Sequence, residues 1–125
     1  MGNPSPERVL AMAITYEDVG ESLRRIALYG RLDGPGTEEV SAELGALATT
    51  GGRRIVVDLT QISFLASVGI RALLGSAKAL QRNGGRMVLL VGTNPFVTRT
   101  LEATGIDALI PMFADAAEAE KAALA

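Results

Sequence analysis

Apolar residues recur along this chain with two periods, near two and near 3.6, and the switches between them mark out elements. "VLAMAITYED" carries the β-branched and aromatic content of a strand. "SLRRIALYGRLD" sets Leu23, Ile26 and Leu28 against polar or small neighbours and is expected to stop at Gly30, as a second strand hairpin-linked through "DVGES". "GPGTEEVSAELGALATTGG" then changes period. Thr37 is expected to cap a helix there, with Glu38 and Glu39 in its first turn, Val40, Leu44 and Leu47 on one face, and Gly51 and Gly52 at its end. "RRIVVDLT" is a continuous apolar run of strand length and predicts a buried central strand, with "QISFLA" as the connection that follows. From Val68 to Gln81 the helical period returns, with Ile70, Leu73, Leu74, Ala77 and Leu80 on one face and Asn83-Gly84-Gly85 as the stop.

"RMVLLVG" reads as another buried strand. Asn94 is expected to cap the helix after it, with Pro95 at its first position, Val97, Leu101 and Thr104 facing inward, and Gly105 ending it. "LIPMFA" predicts a short last strand, placed at an edge by Pro111. Asp115 and Glu118 form a capping-box pattern before an Ala-rich final helix. The order ββαβαβαβα implies an α/β fold. A mixed sheet of four to five strands, mainly parallel after the opening hairpin, carries about four helices, mostly on one face. At 125 residues the chain is expected to form a single domain over 1–125, with the polar, Pro-containing segment 1–9 as a frayed lead-in.

Composition removes much chemistry. There is no Cys and no His, which excludes disulfides, thiolate or imidazole metal sites, Cys nucleophiles and Ser-His-Asp triads. General acid–base work near neutral pH would need a strongly shifted carboxylate or lysine, so the chain is expected not to be an enzyme and to need no cofactor. A net charge of −2 with mixed signs argues against a nucleic-acid partner. No apolar run reaches the length of a membrane span and the N-terminus lacks a signal-peptide pattern, so the expected location is the cytoplasm. Met1-Gly2 is not followed by Ser or Thr at position 6, which holds Pro. The pattern sets no oligomeric state.

Asp33 and Asp58 fall at or near the carboxyl ends of strands, where α/β sheets gather ligands. They read either as a metal pair or phosphoacceptor, or as a turn residue and a local backbone acceptor. Two separated carboxylates without a third make a poor magnesium site, so no metal is expected. "IVVDLT" also resembles the phosphoacceptor strand of a receiver domain, using Asp58, with Glu17-Asp18 as its acidic pair. The last strand lacks that fold's lysine, and the β–β opening departs from it. No GxGxxG or Walker motif is present.

The stretch "SFLASVGIRALL" gains meaning from its neighbours. "GRLD", "IVVDLTQISFLASVGIRALL" and "GGRMVLLVGTNPFVTRTLEATGID" follow one another as do the marks of the STAS domain, the fold of bacterial anti-sigma factor antagonists. The resemblance spans residues 12 to 120. The family's signature is Asp-Ser-Ser-Gly or Asp-Ser-Thr-Gly; this chain has Ala66-Ser67-Val68-Gly69. The family's acidic residue is thus Ala66, and its phosphoacceptor position holds Val68, which has no hydroxyl. Ser67 is expected to cap the helix, worth about 1 kcal/mol.

The resemblance implies a partner-switching module that regulates transcription by binding an anti-sigma factor of the GHKL serine-kinase type. A metal-dependent serine phosphatase is implied only if a phosphate is added. In the family, phosphate adds roughly two negative charges to the docking surface. Val68 means either a binder that its kinase cannot switch off, or a phosphate moved to Ser67 or to another hydroxyl such as Ser63, Thr60 or Thr37. By resemblance the docking surface comprises Asp33, Ser63, Ala66, Ser67, Val68, Gly69 and Arg71. Other members of the family imply a different use of the same fold, as a scaffold of stress-signalling complexes or a subunit of a lipid transporter.

Overall fold

The structure, a computed structural model, describes residues 12–32, 34–49 and 54–125. The lead-in 1–9, Asp33 and the glycines at 51 and 52 lie outside these. Strands β1 (Met12–Val19) and β2 (Leu23–Leu32) form the expected antiparallel hairpin. Helix α1 (Gly34–Thr49), strand β3 (Arg54–Leu65), helix α2 (Ser67–Arg82) and strand β4 (Arg86–Leu90) follow. Helix α3 (Pro95–Thr104), a 3-10 turn (Ile106–Ala108), strand β5 (Met112–Phe113) and helix α4 (Ala116–Leu124) complete the chain. The sheet order is β1-β2-β3-β4-β5, parallel from β2 onward.

This order explains where the helices go. Three successive crossovers step across the sheet in the same direction, and right-handed connections then put all three helices on one face. The core between that face and the helices holds Ile26, Leu28, Leu44, Ile55, Val57, Leu59, Ile70, Leu73, Leu80, Leu89, Val97 and Leu101. Helix α4 is no crossover and covers the other face, setting Ala119 and Ala123 against Leu23, Val56, Val88 and Leu90. Arg25 meets Glu120 of that helix at 3.3 Å. Strand β3 is the expected central strand, with Ile55, Val56 and Val57 completely buried.

Several boundaries differ from expectation. Helix α1 begins at Gly34, so Thr37 lies inside it and does not cap it. Strand β2 runs through Gly30 to Leu32, and "QISFL" continues β3 and is not a connection. Leu23 faces the α4 side while Ile26 and Leu28 face the main core, because an odd spacing separates them on a period-two strand. Thr104 is exposed; its hydroxyl donates to the Leu101 carbonyl at 2.9 Å. Asp115 caps α4 by accepting from the Glu118 amide at 3.0 Å.

The hairpin is tied to α1 by Arg24, only 7% exposed. Its guanidinium donates to both Asp18 carboxylate oxygens at 2.7 and 3.2 Å and to the Leu47 carbonyl at 2.9 Å, and lies 4.6 Å from the Tyr16 ring centroid. The Asp18 hydrogen bond holds its pKa above the ordinary arginine value, against the opposing effect of burial. Arg24→Ala is expected to lower stability by about 2 kcal/mol, less than for a fully buried pair because Asp18 is partly in water. Urea denaturation checks this.

Two glycines invite opposite outcomes. Gly92 has φ +59°, and a Cβ there would sit 2.8 Å from Thr60 Cγ2. Gly75 is exposed within α2, with nothing within 4 Å of an added Cβ. Gly92→Ala is expected to cost about 1–3 kcal/mol, whereas Gly75→Ala is expected to stabilise by about 1 kcal/mol. Paired thermal melts read both signs.

Candidate functional site

Past Asp58 the central strand leaves β4 and runs on along β2 alone. The β2–β3 register slips between Ala27 and Tyr29 and again between Gly30 and Arg31, each time with one extra residue in β3. A bulge bends a strand and resets which face its side chains meet. Leu59, Ile62 and Leu65, spaced by three, therefore all enter the main core, while Ser63 is exposed and Phe64 half-buried.

Asn94 holds this bent end. Its Nδ2 donates to the Ile62 carbonyl at 3.0 Å, and its Oδ1 accepts from the Val97 amide at 3.3 Å. One side chain thus caps α3, as expected, and occupies a carbonyl on the stretch of β3 that has left β4. Pro95 stands at the helix start, and Phe96 follows it, 44% exposed. The Phe96 and Phe64 rings stack with centroids 6.2 Å apart, and the Arg31 guanidinium lies 4.4 Å from the Phe64 centroid.

The turn from β3 into α2 departs from expectation. Ala66, with extended φ −95° and ψ 167°, occupies the cap position, and its side chain makes no cap hydrogen bond. Ser67 is the first helical residue, so its hydroxyl is not the cap; it is exposed and makes no hydrogen bond among the described residues. The Ala66 carbonyl accepts from the amides of Gly69 at 2.9 Å and Ile70 at 3.2 Å. Val68 is 39% exposed. Arg71 is exposed one turn after Ser67 and therefore on the same helix face. Gly69 is buried and has no left-handed φ.

Of the sequence-selected residues, Ser63, Ser67, Val68 and Arg71 are exposed on the end of β3 and the start of α2. Ala66 contributes backbone, Gly69 faces inward, and Asp33 lies outside the described residues. The aromatic pair with Arg31 was not selected from sequence. A signal for Phe96 existed: Val97 and Leu101 define the inward stripe of α3, and Phe96 falls off it.

Asp58 accepts from the Thr60 amide at 2.9 Å and the Thr60 hydroxyl at 2.7 Å, a local backbone role. No group of three metal-ligating side chains exists among the described residues. The receiver alternative fails on topology. That fold has the parallel strand order 2-1-3-4-5, whereas β1 here is an antiparallel edge strand in a consecutive order.

Asn94→Ala is expected to cost about 2 kcal/mol, combining a lost cap with a carbonyl left without its donor. Asn94→Asp, which keeps the cap acceptor and loses the donor, should recover part of that loss. Urea denaturation of the two variants separates the bonds.

The chain matches the STAS domain family over residues 13–119. It is 34% identical over 112 residues to BtrV of Bordetella bronchiseptica, provisionally named an anti-sigma factor antagonist, covering 90% of this chain and 94% of that protein. Its fold is similar to an anti-sigma factor antagonist from Mycobacterium paratuberculosis, with a TM-score of 0.81 at 21% identity over 91% of this chain and 95% of that one. It is also similar to the unphosphorylated anti-sigma factor antagonist SpoIIAA, with a TM-score of 0.69 at 26% identity over 86% and 92% of the two chains. The match runs from β1 into α4 and takes in the bent end of β3 and the start of α2, and by it the chain belongs to the STAS domain family, among the anti-sigma factor antagonists.

Proposed function

We propose that this chain is a binding module that captures an anti-sigma factor of the serine-kinase type through the first turn of α2, and that Val68 keeps it in the binding form. The observation that carries this reading is an exposed valine at the helix position where the family bears its phosphoacceptor hydroxyl. SpoIIAA has been solved in a phosphorylated form as well. Phosphate on such a surface opposes docking by adding about two negative charges. Valine cannot accept it, and its side chain adds apolar contact instead.

The surface around Val68 suits protein docking. Phe64, Phe96 and Arg31 offer aromatic and guanidinium groups, the residue types that dominate binding hot spots. Ser63, Ser67 and Arg71 supply a polar border. No carboxylate stands in the first turn of α2, whose amides carry the positive end of the helix dipole. Asp33 belongs to this surface by resemblance.

The test is capture of the partner with the full chain, identification by mass spectrometry, and titration of the purified pair with and without ATP. The expected partner has a serine-kinase ATP site, and binding to the wild-type chain is expected to be independent of ATP, with no added mass. A transporter ATPase in its place would assign the chain to the transport-subunit use of the fold. Val68→Ser is expected to gain one phosphate and to release the partner when ATP is present. A phosphate on the wild-type chain that disappears in Ser67→Ala would instead place the switch one residue earlier.

Phe96→Ala tests the aromatic part. It is expected to weaken partner binding about tenfold or more, roughly 1.4 kcal/mol or above. Phe96 is 44% exposed and lies off the buried stripe of α3, so the melting temperature should change less than the binding. Calorimetric titration beside a thermal melt separates the two effects.

A further inference from the structure

At the opposite end of the sheet, where β3 and β4 begin, a cavity of about 510 Å³ opens between the C-terminal half of α2 and the segment before β5. Ligand pockets of about 300–1,000 Å³ are the usual size for small organic molecules. Its walls divide by chemistry. Leu74, Met87, Leu109 and Ile110 make an apolar side, and Arg54, Lys78 and Arg86 make a cationic one. No carboxylate lines it among the described residues.

Among the described residues that charge meets no acidic partner, and the apolar side, buried at Met87 and Ile110, reaches solvent at Leu109. Arg24 and Arg25 elsewhere have carboxylate partners, but Arg54, Lys78 and Arg86 form no ion pair among the described residues. The carbonyls of the last turn of α2 do not serve them either. Leu80 accepts from the amides of Asn83 and Gly85 at 3.0 and 2.9 Å, and Gln81 accepts from Gly84 at 3.0 Å. Leu109 at the rim is 59% exposed, a large apolar side chain left in water. Convergent cations beside an apolar wall complement a molecule with an acidic head and an apolar body.

We infer that this cavity binds a small soluble amphipathic anion, with its carboxylate or phosphate head between Arg54, Lys78 and Arg86 and its apolar body against Leu74, Met87 and Leu109. The site lies at the amino ends of β3 and β4 and against the C-terminal half of α2, about 10–20 Å along that helix from its start. It is independent of the proposed docking surface, and the outcome of either test leaves the other untouched.

The experiment titrates the isotope-labelled full chain with decanoate below its micelle threshold, and in parallel with decanol and with inorganic phosphate, following amide shifts by NMR. Decanoate is expected to saturate one site and to move the amides of Gly85, Arg86 and Leu109. Decanol and phosphate, each carrying half of the chemistry, should bind at least tenfold more weakly. Lys78→Glu/Arg86→Glu and, separately, Leu109→Asp should each weaken decanoate tenfold or more, with spectra that retain the native dispersion. These side chains are largely exposed, so the fold should tolerate the changes. Three outcomes would overturn the inference: no saturation, equal binding of decanol and decanoate, or variants that bind as the wild type does. Binding to phosphatidylglycerol vesicles without binding of free decanoate would overturn it in favour of a membrane surface.

Discussion

Strand β3 has to serve as the middle of the sheet and then stop doing so, and the layout of the molecule follows from how it manages both. Up to Asp58 it is hydrogen-bonded on each side, to β2 and β4. Beyond Asp58 one edge is open, and backbone carbonyls inside a protein need donors. Asn94 supplies one, reaching from the loop after β4 to the Ile62 carbonyl. Without that bond the bent end of β3 would lack a fixed relation to α3, and the Phe64–Phe96 stack would lose its geometry. The same bond explains why an asparagine caps α3. Asp or Ser would also accept from Val97, but neither carries the amide donor that reaches Ile62.

The two faces of the sheet are covered unequally. Three crossover helices cover one face. On the other, α4 is short and alanine-rich, and its small side chains let it lie close against Val56, Val88 and Leu90. It leaves uncovered the part of the sheet made by Thr15, Glu17, Ala27, Tyr29 and Asp58, with Arg25 at the border where it meets Glu120. Polar residues sit there because water reaches them. This accounts for an aspartate in the middle of a central strand, since its side chain points to the uncovered face and is further satisfied by Thr60.

The sequence carried most of this where a period was long enough to read. The hairpin, the central strand, the inward face of α2, the Asn94-Pro95 start of α3 and the Asp115 cap were all legible, because each rests on local chemistry or on several repeats of one spacing. What failed did so for nonlocal reasons. Two bulges break the period of two after Leu59, so "QISFL" reads as irregular although it remains paired to β2. The extra length of β3 then moves the cap position to Ala66, and Ser67 becomes helical. The stacking of Phe64, Phe96 and Arg31 joins residues from three elements, and no short window of sequence contains it.

Ala66 and Val68 make better sense as a pair than singly. An aspartate at a cap position would accept from the amides that begin the helix and would place a negative charge at the positive end of its dipole. Alanine does neither, and the first turn of α2 contains no other acid. Valine at the second helical position then replaces a hydroxyl with two methyl groups. The result, among the described residues, is a helix start with no acid in its first turn, an apolar contact beside its amides and a Ser67 hydroxyl without a hydrogen bond. Such a surface favours a partner that brings its own acceptor or carboxylate to the amides and an apolar pocket to Val68. A phosphate on Ser67 would compete for the same amides and would stand one turn from Arg71, on the same face. The chemistry that would permit a switch at Ser67 is therefore the chemistry that favours docking in its absence, and the two uses exclude each other at a single helix terminus.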